Sequence, residues 1–108
     1  MKKVIWHPKA LEMVQEFPKE AKKEMGYLIF RLQQEERLGM PFSRPMKSVG
    51  NGVQELRVKR ARGAYRAFYF LKLDEGILIF HAFGKKSQKT PRKEIEVGIQ
   101  RLTELLDA

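Results

Sequence analysis

Ala64-Tyr65-Arg66-Ala67-Phe68-Tyr69-Phe70-Leu71-Lys72-Leu73 is the stretch on which the fold turns. It is rich in aromatic side chains, holds no proline or glycine, and is apolar on both of its alternating faces, as expected of a strand inside a sheet. Tyr65, Ala67, Tyr69 and Leu71 share one face; Arg66, Phe68, Phe70 and Lys72 share the other. Upstream, Val53 to Lys59 alternates in the same way, with Leu56 and Val58 opposed to Glu55, Arg57 and Lys59. Arg60 to Gly63 is short enough to be a hairpin loop. Downstream, Asp74-Glu75-Gly76 turns the chain into a third strand, Ile77 to Phe83. Successive strands joined by short loops pair antiparallel.

Outside this meander the period becomes helical. Lys3 to Trp6 reads as a short strand, and Pro8 opens a short helix that carries Leu11, Val14 and Phe17 on one side. Pro18 begins a longer helix, predicted to run to about Leu38 and to stop at Gly39. Ala21, Met25, Leu28, Ile29 and Leu32 are its apolar stripe. Gly39 to Pro45 reads as a loop, and Gly50-Asn51-Gly52 as a tight turn. Thr90-Pro91 caps and starts a last helix with Ile95, Ile99, Leu102 and Leu106 on its apolar side. The expected class is α+β, a small antiparallel sheet in β-α-α-β-β-β-α order with the helices packed on one face. A length of 108 residues suits one domain, 1–108.

Composition narrows the chemistry. Without cysteine, disulfides and thiolate metal sites are excluded. No apolar run has the length of a signal peptide or a membrane span, so a cytoplasmic protein is expected. The net charge of +9 is concentrated: from Arg44 to Lys93 there are thirteen Lys/Arg against three Asp/Glu. A segment of that kind suits a polyanion, either nucleic acid or an acidic protein, unless it is only solvated surface charge. No nucleophile-elbow, phosphate-loop or zinc-helix motif occurs, and the basic segment has too few acids to hold a two-metal cluster. Neither cofactor nor metal is expected.

Four side chains are candidates for chemistry. Arg66 interrupts an apolar strand, where a guanidinium needs an anion or an acidic partner. It is either a clamp for a phosphate on an open face of the sheet, or a structural partner of Glu55. Lys85 and Lys86 follow the third strand directly, beside Arg66's strand, and are either part of the same site or a solvated pair. His81 is either an acid–base group or a hydrogen-bonded core histidine. RNA can be cut without metal, because its own 2′-hydroxyl can attack the adjacent phosphorus. The protein then has to orient that oxygen, hold the charge and move protons.

These residues together carry a resemblance. Val53-Gln54-Glu55-Leu56-Arg57, Gly63-Ala64-Tyr65-Arg66-Ala67-Phe68-Tyr69, Ile77-Leu78-Ile79-Phe80-His81-Ala82-Phe83 and Lys85-Lys86-Ser87-Gln88-Lys89-Thr90-Pro91 resemble the phage-derived, HigB-like branch of the RelE/ParE toxins. The resemblance implies a RelE-like fold and a toxin of a type II toxin–antitoxin system. It implies metal-independent cleavage of mRNA on the ribosome, and neutralisation by an antitoxin, a small helix-turn-helix protein from the adjacent gene. It implies Arg66 at the scissile phosphate, Lys86 and Lys85 as basic groups after the last strand, and Arg57 as a basic position on the first hairpin strand. Lys47, Lys59, Arg60, Arg62 and Lys89 complete the expected RNA contacts. The chain departs from RelE in two places. Ser87 to Glu94 holds no tyrosine to activate the 2′-hydroxyl, and Glu55 stands where RelE has a lysine. Glu55, His81 and Lys85 are the candidates to fill that gap. The alternatives are a ParE-like inhibitor of gyrase that is no nuclease, and an inactive member that only binds RNA or protein.

Overall fold

The computed structural model describes residues 1–72, 75–85 and 89–107, with Lys85 by its backbone alone. Its elements are β1 (Val4–Trp6), α1 (Pro8–Gln15), α2 (Lys19–Gln33), β2 (Ser43–Pro45), β3 (Val53–Arg60), β4 (Gly63–Lys72), β5 (Gly76–Lys85) and α3 (Arg92–Asp107). The mixed α+β class expected from the sequence is the one observed, and the meander lies where the alternation placed it.

Five strands form one sheet in the order β1-β5-β4-β3-β2. Three features differ from the sequence reading. Ser43–Pro45, expected as loop, adds a short edge strand antiparallel to β3. Three residues with a proline have no readable alternation, and only the pairing with Gln54–Leu56 makes them a strand. The sheet is also not wholly antiparallel, because β1 runs parallel to β5. There the close approach needs a glycine: Gly76 has φ +126°, and a Cβ on it would lie 2.2 Å from the Lys3 carbonyl oxygen.

The third difference concerns the helices, which do not share one face. Leu56, Val58, Ala67, Tyr69, Ile77 and Ile79 pack with α1 and α2 in one core. Val53, Phe68, Phe80 and Phe83 face the other way and are covered by α3 through Leu102, Ile95 and Leu105. Both faces of the meander are apolar, so each demands a cover. The stripe of α3 is correspondingly Ile95, Gly98, Leu102 and Leu105, while Ile99 and Leu106 remain exposed.

A bulge fixes the face of His81. Phe68 pairs with His81 but Tyr69 pairs with Ile79, so Phe80 is the extra residue in β5. The insertion shifts the alternation by one and leaves both Phe80 and His81 on the α3 side. Helix α2 ends earlier than predicted, at Gln33. Glu35 takes φ 65° and the Glu36 N–H closes onto the Arg31 carbonyl. This is a Schellman-type end with glutamate in the position usually held by glycine, which removes the sequence signal for the stop.

Helix α3 is seated on the sheet through Gly98. A Cβ there would stand 2.7 and 2.9 Å from two ring carbons of Phe68, itself fully buried. Gly98→Ala is expected to lower the melting temperature. Overpacking of a tight core costs about 1–3 kcal/mol, against a gain in helix propensity of about 1 kcal/mol. Thermal denaturation of Gly98→Ala, and of Gly98→Ala with Phe68→Leu, checks this: the second change relieves the clash. A melting temperature unchanged by the first would show that the ring yields.

Candidate functional site

Across β3 and β4, Arg57 stands directly opposite Arg66 on the face that α3 covers in part. Two like charges in that position repel. Glu55, one step along the same face of β3, resolves the conflict. Its carboxylate is fully buried. Its Oε1 accepts from Arg66 Nη1 at 2.7 Å and from Arg44 Nε at 3.1 Å, with Arg57 Nε 3.8 Å away. Its Oε2 accepts from the Thr90 hydroxyl at 2.8 Å, and Arg44 Nη2 donates to that hydroxyl at 3.2 Å. Three guanidinium groups thus surround one carboxylate, and a net positive charge remains. Thr90 was expected to cap α3; its hydroxyl instead ties the segment before α3 to the sheet.

The three arginines differ in access. Arg66 lies at the bottom, 2% exposed and bound to Glu55, which is the partner that the sequence offered as the alternative to a clamp on an open face. The side chains of Arg57 and Arg44 are 18% and 34% exposed and reach the surface. Burial lowers the pKa of Arg57 below its usual value; Arg66 and Arg44 lower it further, and Glu55 opposes them. A partly desolvated cation among cations is where an incoming anion is bound most favourably.

The remaining candidates separate. His81 is 5% exposed and held by α3. Arg101 Nη1, which can only donate, lies 2.9 Å from Nδ1, so Nε2 carries the proton and gives it to Glu94 at 2.7 Å. Both ring nitrogens are therefore engaged, and the ring packs against Phe68 and Phe83. This is the geometry of the hydrogen-bonded core histidine that the sequence left open as one of two readings. Lys59 is exposed on β3 at the register of Ala64. Arg60 points to the other face and binds Glu24 of α2. Arg62 is exposed in the hairpin turn, and Lys89 is exposed just before Thr90. Lys47 is exposed in the turn between β2 and β3, three positions after Arg44. The backbone of Lys85 pairs with Ala64, two places from the Arg66–Phe83 pair. Lys86 lies outside the described residues.

The sequence reading missed Arg44 and the ligand role of Thr90. Nothing in Ser43-Arg44-Pro45 announces a site; Arg44 reaches Glu55 only because β2 pairs with β3. Among the described residues no group of three His, Asp or Glu is placed to hold a metal ion, and no helix is long and apolar enough to cross a membrane.

The histidine gives a pH prediction. Burial lowers the pKa of His81 from 6.5, against a raising hydrogen bond from Glu94. The unfolded chain therefore binds the proton more readily, and stability falls as pH drops through the unfolded value. Melting temperature should decline between about pH 7.5 and pH 5.5, and His81→Gln should flatten that part of the curve. A curve of unchanged slope in the variant would assign the decline to other groups.

The family described as phage-derived Gp49-like proteins matches residues 12–103 of the chain. No curated protein matches it in sequence. Among solved structures, a double Arg-to-Ala mutant of the E. coli toxin RelE in the free state is similar, with a TM-score of 0.66 at 8% identity. The alignment covers 96% of this chain and 97% of that one. At that identity the likeness is one of fold.

Proposed function

The chain belongs to the family of phage-derived Gp49-like proteins and has the RelE fold, and from that premise we propose that it is the toxin of a toxin–antitoxin pair, a ribonuclease that cuts mRNA on the ribosome without a catalytic metal ion. The observation that carries the reading is the gathering of Arg44, Arg57 and Arg66 around one buried carboxylate.

In this reading the scissile phosphate binds to the two arginines that reach the surface, Arg57 and Arg44. Arg66 lies beneath them and adds positive potential. Glu55 is a positioning residue: its oxygens already accept from Arg44, Arg66 and Thr90, so it orients the guanidinium groups rather than taking a proton from RNA. The 2′-oxygen attacks phosphorus and loses its proton, the bond to the 5′-oxygen breaks, and that oxygen takes up a proton. The products are a 2′,3′-cyclic phosphate and a 5′-hydroxyl. Lys85 and Lys86 are the proposed proton carriers, since neighbouring cations favour a neutral lysine. The guanidinium groups stabilise the added charge on the phosphorane, the largest contribution expected of such a site.

The partner proposed with it is an antitoxin, a small helix-turn-helix protein from the adjacent gene. Primer extension on mRNA from induced cells tests the reading, and new 5′ ends within translated regions are the expected result. Intact transcripts with trapped gyrase–DNA complexes would replace it by the ParE-like activity. Cleavage by the protein on programmed ribosomes that requires Mn²⁺ or Zn²⁺, with polyamines unable to replace them, would remove the metal-independent step.

A further inference from the structure

A second feature adjoins the arginine cluster. Between α2, the segment Met40–Phe42 and the β3–β4 hairpin runs a groove of about 880 Å³. Arg57 and Arg66 line it as well, so it is continuous with the proposed phosphate site. Its aromatic walls are open to solvent: Tyr27 is 61% and Phe42 41% exposed. Between them lies Arg31, its guanidinium carbon 5.9 Å from the Tyr27 ring centre and 5.4 Å from that of Phe42. Arg31 is held there by Glu36 at 3.2 Å. On the sheet side, Arg57 Nη1 lies 3.4 Å from Met40 Sδ, which ties the rim of the groove to the cluster. Among the described residues the acid in the groove wall is Glu24, and it is bound to Arg60.

We propose that this groove is a nucleobase subsite, taking an unpaired base of the same RNA strand whose phosphate binds at Arg57. Exposed aromatic rings beside a fixed guanidinium provide flat, partly apolar surfaces on which a base can stack. The positive rim suits the phosphates on either side of that base. An acidic peptide would match the charge alone. The ring–guanidinium–ring stack and the continuity with the arginine cluster favour single-stranded RNA. A base seated here would select unstacked strands over duplex, and would set the register of the chain relative to Arg57. The inference rests on the reading of the arginine cluster as a phosphate site.

The test is binding of a fluorescein-labelled 2′-O-methyl hexaribonucleotide, which cannot be cut by its own 2′-oxygen, measured by anisotropy at low salt. The same hexamer with abasic positions serves as the comparison. The wild-type protein should bind the base-bearing strand more tightly. Phe42→Ala and Tyr27→Ala should weaken that binding by about 5- to 150-fold, the range for one stacked base, and leave the abasic strand unaffected. Phe42→Trp should retain it. If Phe42→Ala and Tyr27→Ala bind both strands as the wild type does while Arg57→Ala loses both, the subsite is wrong and the phosphate site stands. If the wild-type protein binds neither strand, both fall. If the two variants bind RNA normally but escape neutralisation by the antitoxin, the groove is a protein-docking site and the proposal is overturned.

Discussion

Arg66→Ala is expected to destabilise the protein by roughly 3 to 5 kcal/mol, the cost of removing one partner from a buried ion pair. Had Arg66 been the clamp on an open face that the sequence allowed, the same change would have removed toxicity and left the fold intact. The structure places it 2% exposed against a carboxylate with no exposure at all, at 2.7 Å. Alanine would leave Glu55 in the interior with Arg44 and the Thr90 hydroxyl as its close donors. Replacing both partners by apolar residues of similar size, Arg66→Met with Glu55→Leu, should recover most of the loss, since no uncompensated charge then remains. Thermal and urea denaturation of the single and double variants measure this. An Arg66→Ala protein that melts as the wild type does would show that the pair contributes nothing to folding, and would return Arg66 to a purely functional role.

Arg57→Ala is expected to behave in the opposite way, with cleavage reduced by about 10² to 10³ and melting nearly unchanged. Its Nε is 3.8 Å from Glu55, too far for a strong hydrogen bond, and it faces Arg66 across the strands. Its removal relieves a repulsion while taking away one of the two arginines that reach the surface. Arg44→Ala should lower the melting temperature as well, because that arginine donates to the buried Glu55 carboxylate and holds Thr90. The double variant should lose less than the product of the two single effects if both groups act on one phosphate. Growth arrest and primer extension on induction, read beside the melting of each purified variant, decide the matter. Full toxicity in a well-folded Arg57→Ala protein would place the chemistry away from this cluster.

The two arginines show how far the sequence could be read. The neighbours that each shares a face with in its own strand followed from alternation along Val53 to Lys59 and Ala64 to Leu73, a local property of a pleated chain, whereas the coincidence of the two faces came from the register of β3 on β4. The turns between the strands and the buried stripe of α2 were local too, both set by residues within a few positions of one another. The aromatic richness of both faces of β4 was equally plain, but its consequence was missed: a strand apolar on two sides needs a cover on each, and α3 supplies the second. The bulge at Phe80 was not legible, because one extra residue in a strand has no signature until its partner strand is known. It placed His81 beneath Arg101 and Glu94, with both ring nitrogens engaged.

What the sequence by itself determined is the three-stranded meander and the three helices, the basic central segment and the resemblance of the chemistry-bearing residues to a family. All of these depend on short-range periodicity, composition or contiguous motifs. Tertiary structure alone decided which charges meet. Arg44, Glu55, Arg66 and Thr90 are brought together by the pairing of β2, β3 and β4 and by the return of the chain before α3, with Thr90 and Glu55 separated by 35 positions. The physical reason is that burying Glu55 is tolerable only where several donors converge on it. That convergence belongs to the packed sheet and to no single stretch of the chain.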